Sequence, residues 1–364
     1  MPSILFAAGG SGGHVSPALA VMESLQRRNP PVSTSLVTTE KGVDRQLSSG
    51  GLGKVLTISA VSPREILRKP FRTVRANWGA WTGARRILRD EAPDVVVGCG
   101  GYASFPVLLA ARARRIPIVL LEQNAVPGRV TRIAARWSRI VCCTFGESES
   151  YFSGTDVRLT GNPVRRSIAE LPPSVDPRPT NGRPVLLVLG GSQGSHAVNN
   201  GMLAVADHNP GLLREWDIVH QTGETDRERV AEAYRKVGWK AEVEAFFSDL
   251  APHYARATLA VTRAGATTLA ELACVGIPAI LIPYPHAADD HQRANARVFE
   301  RAGAGFLVDQ ADGHFLEQFE ATLHRALSFT NRLDRMGEAM LGLARPQAAD
   351  AVAEAILSLV TQPK

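Results

Sequence analysis

Two glycine-rich loops in this chain have the composition to hold a phosphate or a sugar. Residues 9–14 (GGSGGH) follow the apolar run 4–8, and residues 190–194 (GGSQG) follow the apolar run 185–189. Glycine lets the backbone approach a ligand closely, and the free N–H groups at the start of a following helix attract anions. Neither loop ends in GK[ST] or has GxGxxG spacing, which argues against an NTPase or a simple dehydrogenase. Tight packing of a strand on a helix is the alternative explanation for either loop alone.

His14 is the candidate catalytic residue because it is the only imidazole in either glycine loop. A neutral imidazole can take a proton from a hydroxyl group, and such general-base help is typically worth ~10²–10⁴ in rate. The alternative is a histidine that only caps the turn.

A candidate acid, Glu271, belongs to residues 263–271 (RAGATTLAE), which follow the apolar run 259–262 and open a helical pattern. An acidic residue in a nucleotide site commonly accepts hydrogen bonds from the ribose hydroxyls. Thr268 and Glu271 also have the spacing of a capping box, in which the glutamate bonds back to the helix start. The spacing leaves both interpretations open.

Three further polar stretches are candidates for ligand contacts. They are residues 122–124 (EQN), 161–165 (GNPVR) and 283–295 (PYPHAADDHQRAN). In α/β folds, ligands bind beyond the carboxyl ends of parallel strands, where the first two stretches are predicted to lie. Solvated loops are also polar, so no stretch alone identifies a site.

The elements that position these loops alternate along the whole chain. Short apolar, β-branched runs such as residues 95–98 and 116–121 are separated by amphipathic helical patterns, which predicts an α/β fold with parallel sheets. A length of 364 residues allows two domains. Because residues 163–184 are rich in proline, we expect a linker there, between domains at 1–162 and 185–344, with a final segment at 345–364.

Composition limits the class of partner. The formal net charge of +6 and a pI of about 9.4 suit an anionic partner, such as a phosphorylated substrate or a membrane leaflet. We predict no nucleic-acid partner, because the sequence has neither zinc-finger spacing nor an RNP-like aromatic motif. The four cysteines lie in apolar stretches and are expected to be reduced, and no apolar run is long enough to span a bilayer.

One basic, aromatic segment, residues 62–86, predicts a surface that binds an anionic membrane. An ordinary amphipathic helix with its aromatic side chains in the core is the alternative. The candidate membrane residues are Ile66, Leu67, Arg68, Lys69, Phe71, Arg72, Trp78 and Trp81.

Seven motifs in order, GGSGGH, GCGGY, LEQN, GNPVR, LGGSQGS, RAGATTLAE and HQRANA, span nearly the whole chain. Together they resemble the UDP-N-acetylglucosamine:undecaprenyl-diphospho-muramyl-pentapeptide transferases of cell-wall synthesis. The resemblance implies the GT-B fold, in which two Rossmann-like domains with parallel sheets face each other across a cleft and a final helix, here 348–360, returns to the first domain. It also implies inverting transfer of GlcNAc from UDP-GlcNAc to the C4 hydroxyl of the lipid-linked muramyl-pentapeptide, at the cytoplasmic face of the membrane.

The same resemblance assigns residues to the two substrates. It places Phe246 and Phe247 at the uracil, Glu271 at the ribose and Ser192 at the diphosphate. The full donor set is Ser11, Gly12, Gly13, Asn124, Arg165, Ser192, Gln193, Gly194, Phe246, Phe247, Ala266, Thr267, Thr268, Leu269, Ala270, Glu271, His291 and Gln292. The acceptor set is Gly10, Ser11, Gly101 and Tyr102, with His14 facing the acceptor.

We expect no cofactor and no obligatory metal, because helix N-termini and glycine-loop N–H groups can stabilise the departing UDP. Three alternatives remain open at the level of sequence. They are another UDP-sugar enzyme of the GT-B class, a UDP-GlcNAc 2-epimerase, and a nucleotide-sugar-binding scaffold at the membrane that catalyses nothing.

Overall fold

The computed structural model of the chain describes residues 1–9, 12–39, 53–60, 70–173, 182–191, 193–328 and 330–360, with the backbone alone at 70–77 and 330–331. The chain divides into two compact units. Unit 1 comprises Met1–Arg165 and Arg345–Lys364, and unit 2 comprises Arg166–Ala344.

Each unit is built on a parallel β-sheet. In the described part of unit 1, seven strands lie in the order β3-β2-β1-β4-β5-β6-β7. In the described part of unit 2, six strands lie in the order β10-β9-β8-β11-β12-β13. The strands are β1 (Ser3–Ala7), β2 (Ser33–Thr38), β3 (Lys54–Thr57), β4 (Val95–Gly98), β5 (Ile118–Glu122), β6 (Ile140–Cys143), β7 (Asp156–Leu159), β8 (Val185–Leu189), β9 (Asp217–Gln221), β10 (Lys240–Glu244), β11 (Leu259–Thr262), β12 (Ala279–Leu281) and β13 (Gly305–Leu307).

Helices follow most of the strands. They are α1 (Gly12–Gln26), α2 (Pro70–Asp90), α3 (Ser104–Ala113), α4 (Arg129–Ala135), α5 (Arg166–Ala169), α6 (His196–His208), α7 (Arg227–Lys236), α8 (Ala251–Tyr254), α9 (Ala266–Val275), α10 (His291–Arg301), α11 (Phe315–Leu327), α12 (Thr330–Gly342) and α13 (Ala348–Val360). The central strands β1, β4 and β8 are buried along nearly their whole length, as expected for sheets covered on both faces. This confirms the predicted α/β class with two Rossmann-like domains.

The last helix packs in unit 1. Val352 and Ile356 of α13 share a buried core with Val15 of α1. Ser24 of α1 donates a hydrogen bond to Asp350 at the start of α13. Apolar burial on the order of 25 cal/mol per Å² is the main force that holds such a helix in place.

Each sheet has a point at which the chain reverses the direction of strand addition. In unit 1 it lies between β1 and β4, whose paired ends are Ala7 and Gly98. In unit 2 it lies between β8 and β11, whose paired ends are Leu189 and Thr262. Loops that leave neighbouring strands here diverge, which opens a crevice where α/β proteins bind ligands.

Candidate functional site

His14 lies at the reversal point of unit 1, against the backbone that follows β4. It is half-buried in the first turn of α1. Gly100 and Gly101 have left-handed φ angles of +89° and +78°. A Cβ atom on Gly100 would lie 2.8 Å from His14 Nδ1, and one on Gly101 would lie 1.9 Å from the carbonyl oxygen of Gly9. The GCGGY motif therefore needs its glycines so that the imidazole and the first glycine loop can pack on this turn.

Two buried polar side chains fix the turn after β4. Gln123 Nε2 donates to the carbonyl oxygen of Cys99 at 3.0 Å. Ser104 Oγ donates to the carbonyl oxygen of Gly101 at 2.8 Å. Tyr102, predicted to contact the acceptor, is half-buried within this turn. The sequence indicated the polar residues after β5 but gave no sign that Ser104 supports the turn.

Glu122, at the end of β5, organises the loop that carries Asn124. Its carboxylate accepts hydrogen bonds from the backbone N–H of Asn124 at 3.0 Å and from that of Gly128 at 3.0 Å. The Asn124 side-chain amide also donates to it, at 3.3 Å. Burial raises the pKa of Glu122, and these hydrogen bonds oppose the shift. Asn124 and Arg165, both predicted to contact the donor, are half-buried residues of unit 1.

The glycine loop of unit 2 packs backbone to backbone on the turn that follows β9. Gly194 has a φ of +76°, and a Cβ atom there would lie 2.1 Å from the carbonyl oxygen of Thr222. A Cβ atom on Gly223 would lie 2.5 Å from the carbonyl oxygen of Gln193. Ser195 then caps α6, because its side chain accepts a hydrogen bond from the backbone N–H of Val198. The close approach of the two backbone segments therefore requires glycine at these positions, independently of any ligand.

Gln221, the last residue of β9, joins this loop to the segment predicted to bind uracil. Its Nε2 donates to the carbonyl oxygen of Gly191 at 2.9 Å, and its Oε1 accepts from the backbone N–H of Phe247 at 3.0 Å. The Phe247 ring is buried and lies 4.3 Å from the ring of His253, whose pKa is lowered by burial. The Phe246 side chain is 47% exposed. Sequence reasoning missed Gln221.

A series of buried hydrogen bonds supports the turn that follows β9, from the face of the sheet opposite to Gln221. Tyr234 Oη donates to His220 Nδ1 at 2.8 Å, and His220 Nε2 donates to Asn199 Oδ1 at 3.1 Å. Asn199 Nδ2 in turn donates to the carbonyl oxygen of Thr222 at 3.0 Å and to Asp226 at 2.8 Å. Burial lowers the pKa of His220 to about 3, so the imidazole is neutral at physiological pH.

Glu271 is a buried residue inside α9. The helix begins at Ala266 with Gly265 at its N-cap and no side-chain cap bond, so Thr268 lies within the helix. The capping-box interpretation of Thr268 and Glu271 is therefore wrong, because a capping box needs its first residue at the N-cap. Tyr254 Oη donates to Glu271 Oε2 at 2.8 Å. Spacing could not indicate this partner, since Tyr254 comes from α8.

The other predicted residues of α9 and α10 differ in accessibility. Ala266 and Leu269 are buried, and the half-buried residues are Thr267, Thr268, Ala270, His291 and Gln292. His291 Nδ1 bonds the carbonyl oxygen of Ala288 at 2.7 Å, and Gln292 Oε1 accepts from the backbone N–H of Tyr284 at 2.9 Å. Asn295 Nδ2 donates to the carbonyl oxygen of Ala264 at 3.2 Å, which ties α10 to the loop before α9.

In the glycine loops, Gly12 is half-buried, whereas Gly13 and Gln193 are exposed. Seven predicted residues lie outside the described residues. They are Gly10, Ser11, Ser192, Ile66, Leu67, Arg68 and Lys69. The side chains of Phe71 and Arg72 are likewise not described.

The described part of the basic, aromatic segment is residues 70–86, which belong to α2, and side chains are described from Trp78 onward. Trp78 is 65% exposed, whereas Trp81 is half-buried and packs against the core of unit 1. Their ring centroids lie 5.2 Å apart, and the Arg85 guanidinium lies 4.9 Å from the Trp81 ring. The core alternative thus accounts for Trp81 and leaves Trp78 on the surface. Among the described helices, none combines the length and apolar character needed to cross a bilayer.

Comparison with known proteins agrees with this architecture. The profile described as "Glycosyltransferase family 28 N-terminal domain" matches residues 4–142, and that described as "Glycosyltransferase family 28 C-terminal domain" matches residues 185–354. A protein of Syntrophotalea carbinolica, named UDP-N-acetylglucosamine--N-acetylmuramyl-(pentapeptide) pyrophosphoryl-undecaprenol N-acetylglucosamine transferase, is 42% identical over 84% of this chain and 85% of its own length.

Two solved structures are similar to this chain over nearly its whole length. The crystal structure of Acinetobacter baumannii MurG aligns with a TM-score of 0.74 and 28% identity over 98% of this chain and 100% of that one. UDP-GlcNAc 2-epimerase from Neisseria meningitidis aligns with a TM-score of 0.68 over 98% of this chain and 100% of that one, but at 14% identity. The second likeness shows a shared fold alone. On the family profiles and the sequence identity together, the chain belongs to glycosyltransferase family 28.

Proposed function

We propose that the chain transfers N-acetylglucosamine from UDP-GlcNAc to the C4 hydroxyl of undecaprenyl-linked muramyl-pentapeptide, which converts lipid I to lipid II in peptidoglycan synthesis. The curated relative carries the name of this activity. The observation that carries the proposal is the reversal point of unit 2, where a glycine loop and the loop that leads to Glu271 leave the paired residues Leu189 and Thr262. A glycine loop able to bind a diphosphate, next to a strand whose following helix carries the buried acid Glu271, suits a nucleoside diphosphate.

The UDP part of the donor is assigned to unit 2. The N–H groups at the start of α6 and in the glycine loop offer positive electrostatic potential to the diphosphate. The backbone near Phe246 and Phe247 is proposed to hold the uracil, and Glu271 the ribose hydroxyls. These groups need no rearrangement to stabilise the negative charge that develops on the departing UDP.

The acceptor is assigned to His14 and to the turn at Gly101 and Tyr102. The bond between the sugar C1 and the UDP oxygen breaks, and a bond from C1 to the acceptor O4 forms on the opposite face. The acceptor proton moves to His14, and UDP leaves with the bonding electron pair. Inversion in one step requires no covalent nucleophile on the protein.

The test is incubation with UDP-GlcNAc in the presence and absence of the lipid-linked muramyl acceptor. We expect the release of UDP and the formation of a disaccharide only when the acceptor is present. Conversion of UDP-GlcNAc alone would identify a 2-epimerase, and no turnover in either mixture would identify a scaffold. Product from a different acceptor alone would identify another UDP-sugar transferase.

A His14→Ala variant tests the base assignment. We expect turnover to fall by ~10²–10⁴, because the acceptor hydroxyl loses its proton acceptor. UDP affinity should remain near that of the wild type, since His14 is assigned to the acceptor. Turnover near the wild-type rate in a folded variant would show that another group is the base.

We further propose that the protein works as a peripheral protein at the cytoplasmic face of an anionic membrane. The exposed Trp78 ring, with exposed Arg85 and Arg86 on the same helix, supports a contact of this kind. Basic residues near an anionic surface contribute about 1 kcal/mol each, and this contribution weakens with salt. The acceptor's lipid requires the protein to reach its substrate at a bilayer.

Sedimentation with phosphatidylglycerol-containing vesicles and with neutral vesicles tests this contact. We expect binding to the anionic vesicles only, and its loss when Arg68, Lys69 and Arg72 become glutamate. As a control, charge reversal at Arg235 and Lys236, two exposed residues of α7, should leave binding unchanged. Equal binding to both kinds of vesicle, or an unaffected triple variant, would contradict the assignment.

A further inference from the structure

Gln221 occupies a central position among three strand ends in unit 2. It pairs with Leu189, the last residue of β8, on one side and with Glu244, the last residue of β10, on the other. The glycine loop begins directly after Leu189, and the segment of Phe246 and Phe247 follows Glu244 two residues later. One side chain at this position can therefore reach both segments.

The Gln221 amide makes one hydrogen bond to each segment. Its Nε2 donates to the carbonyl oxygen of Gly191 at 2.9 Å, and its Oε1 accepts from the backbone N–H of Phe247 at 3.0 Å. Because one partner can only accept and the other can only donate, the orientation of the amide is fixed. The residue is 3% exposed, so water cannot readily replace either partner.

We propose that Gln221 is a positioning residue that couples the diphosphate-binding loop to the uracil-binding segment. The inference rests on the proposed assignment of the donor to unit 2 and adds a residue to it. A nucleoside diphosphate contacts both segments at once, so its affinity depends on their relative placement. By holding both segments before the ligand arrives, the amide reduces the ordering that binding requires.

A buried amide also contributes to stability, so the test needs a control variant that loses a buried hydrogen bond at a distance from the ligand. Thr258 provides it. Its Oγ1 accepts a hydrogen bond from the backbone N–H of Val185 at 3.1 Å, and the residue is 4% exposed. Val185 begins β8, whereas the glycine loop follows the other end of that strand. Thr258→Val therefore removes a buried bond at the amino edge of the sheet.

The first measurement is calorimetric titration of UDP into the wild type, Gln221→Met and Thr258→Val. Methionine has a similar shape to glutamine but makes neither bond. We expect Gln221→Met to weaken UDP binding by about tenfold, the equivalent of about one buried hydrogen bond, while Thr258→Val binds UDP like the wild type. In the transfer assay, the KM for UDP-GlcNAc should rise more than kcat falls.

A second variant gives a readout that a purely structural role would not change. In Gln221→Glu, an ionised carboxylate can still accept from Phe247 but repels the carbonyl oxygen of Gly191. A protonated carboxyl can donate to Gly191, as the amide does, and burial favours that neutral form. We therefore expect the UDP affinity of Gln221→Glu, relative to the wild type at each pH, to recover as the pH is lowered from 8 to about 5.

The outcomes separate this inference from the proposed function. A UDP affinity within twofold of the wild type in Gln221→Met, an equal loss in Thr258→Val, or a relative affinity of Gln221→Glu that does not change with pH would each overturn the coupling. Wild-type protein that binds UDP but transfers no sugar would instead overturn the proposed function. Wild-type protein that does not bind UDP would overturn both.

Discussion

Replacement of Glu271 by glutamine tests the ribose assignment directly. Glu271 is 4% exposed and accepts a hydrogen bond from Tyr254 Oη at 2.8 Å. Glutamine keeps the shape and one acceptor oxygen but removes the negative charge. If the carboxylate also binds the ribose hydroxyls, UDP loses hydrogen bonds to a charged acceptor. We expect a loss of about 1–3 kcal/mol, which weakens UDP binding by roughly 5-fold to 150-fold.

The assay is calorimetric titration with UDP and with 2′,3′-dideoxy-UDP, which lacks both ribose hydroxyls. The wild type should prefer UDP, and Glu271→Gln should reduce that preference because the variant weakens the UDP complex selectively. Unchanged UDP affinity in Glu271→Gln, or an equal loss for both ligands, would refute the ribose role.

Tyr254→Phe is the matched control for a change in the surroundings of Glu271. It removes a hydroxyl from a fully buried residue that bonds a carboxylate, and hydrogen bonds to charged groups contribute about 1.5–3 kcal/mol. We expect the free energy of unfolding to fall by that amount. UDP affinity should fall less than in Glu271→Gln, because the carboxylate itself remains.

Three further predictions follow from glycine geometry, burial and the proposed chemistry. Gly101→Ala should lower the free energy of unfolding by more than about 1 kcal/mol, because the φ of Gly101 is +78° and the new Cβ would meet Gly9. Gly83→Ala in α2 should raise the free energy of unfolding by about 0.5–1 kcal/mol, because there is open space around Gly83. Chemical denaturation measures both changes. Because burial lowers the pKa of His220 to about 3, the unfolded chain binds a proton that the folded chain does not between that pKa and 6.5. The contribution of His220 to the free energy of unfolding is fully present above pH 6.5 and should fall by about 1.4 kcal/mol per pH unit below it. His220→Gln should remove this contribution to the pH dependence, which chemical denaturation at a series of pH values measures. Turnover should be unchanged by EDTA, since the proposed stabilisation of UDP uses backbone N–H groups; a loss of rate that Mg²⁺ restores would contradict this.

The fold class could be predicted from the sequence because its signal is local. A buried parallel strand such as β4 or β8 consists of consecutive apolar residues, and the alternation of such runs with helices predicts βαβ units. The glycine-rich motifs could also be found locally, because their composition is visible in the sequence itself. The structure gives the reason for that composition at Gly101 of the GCGGY motif and Gly194 of the second glycine loop: both have left-handed backbones and lie too close to neighbouring carbonyl oxygens for any side chain to fit.

The capping-box prediction at Thr268 and Glu271 shows where local spacing is insufficient. The two residues have the required separation, but α9 begins at Ala266, so both lie inside it. One hydrogen-bond partner of Glu271 is Tyr254, which belongs to another helix. Only the packing of unit 2 brings this phenol to the carboxylate, and the sequence contains no pattern that reports it.

The side chains that support the candidate sites likewise have partners that no sequence pattern indicates. Gln123 bonds Cys99 across the pair β4 and β5, and Gln221 bonds Phe247 across the pair β9 and β10. A single glutamine at the end of a strand is ordinary in sequence, and its role depends on which strands become its neighbours. Strand order is set by the crossovers of the whole sheet, so it is not encoded near either residue. Motifs therefore identified the loops proposed to meet the ligand, while the side chains that hold those loops in place became evident only from the order of the strands.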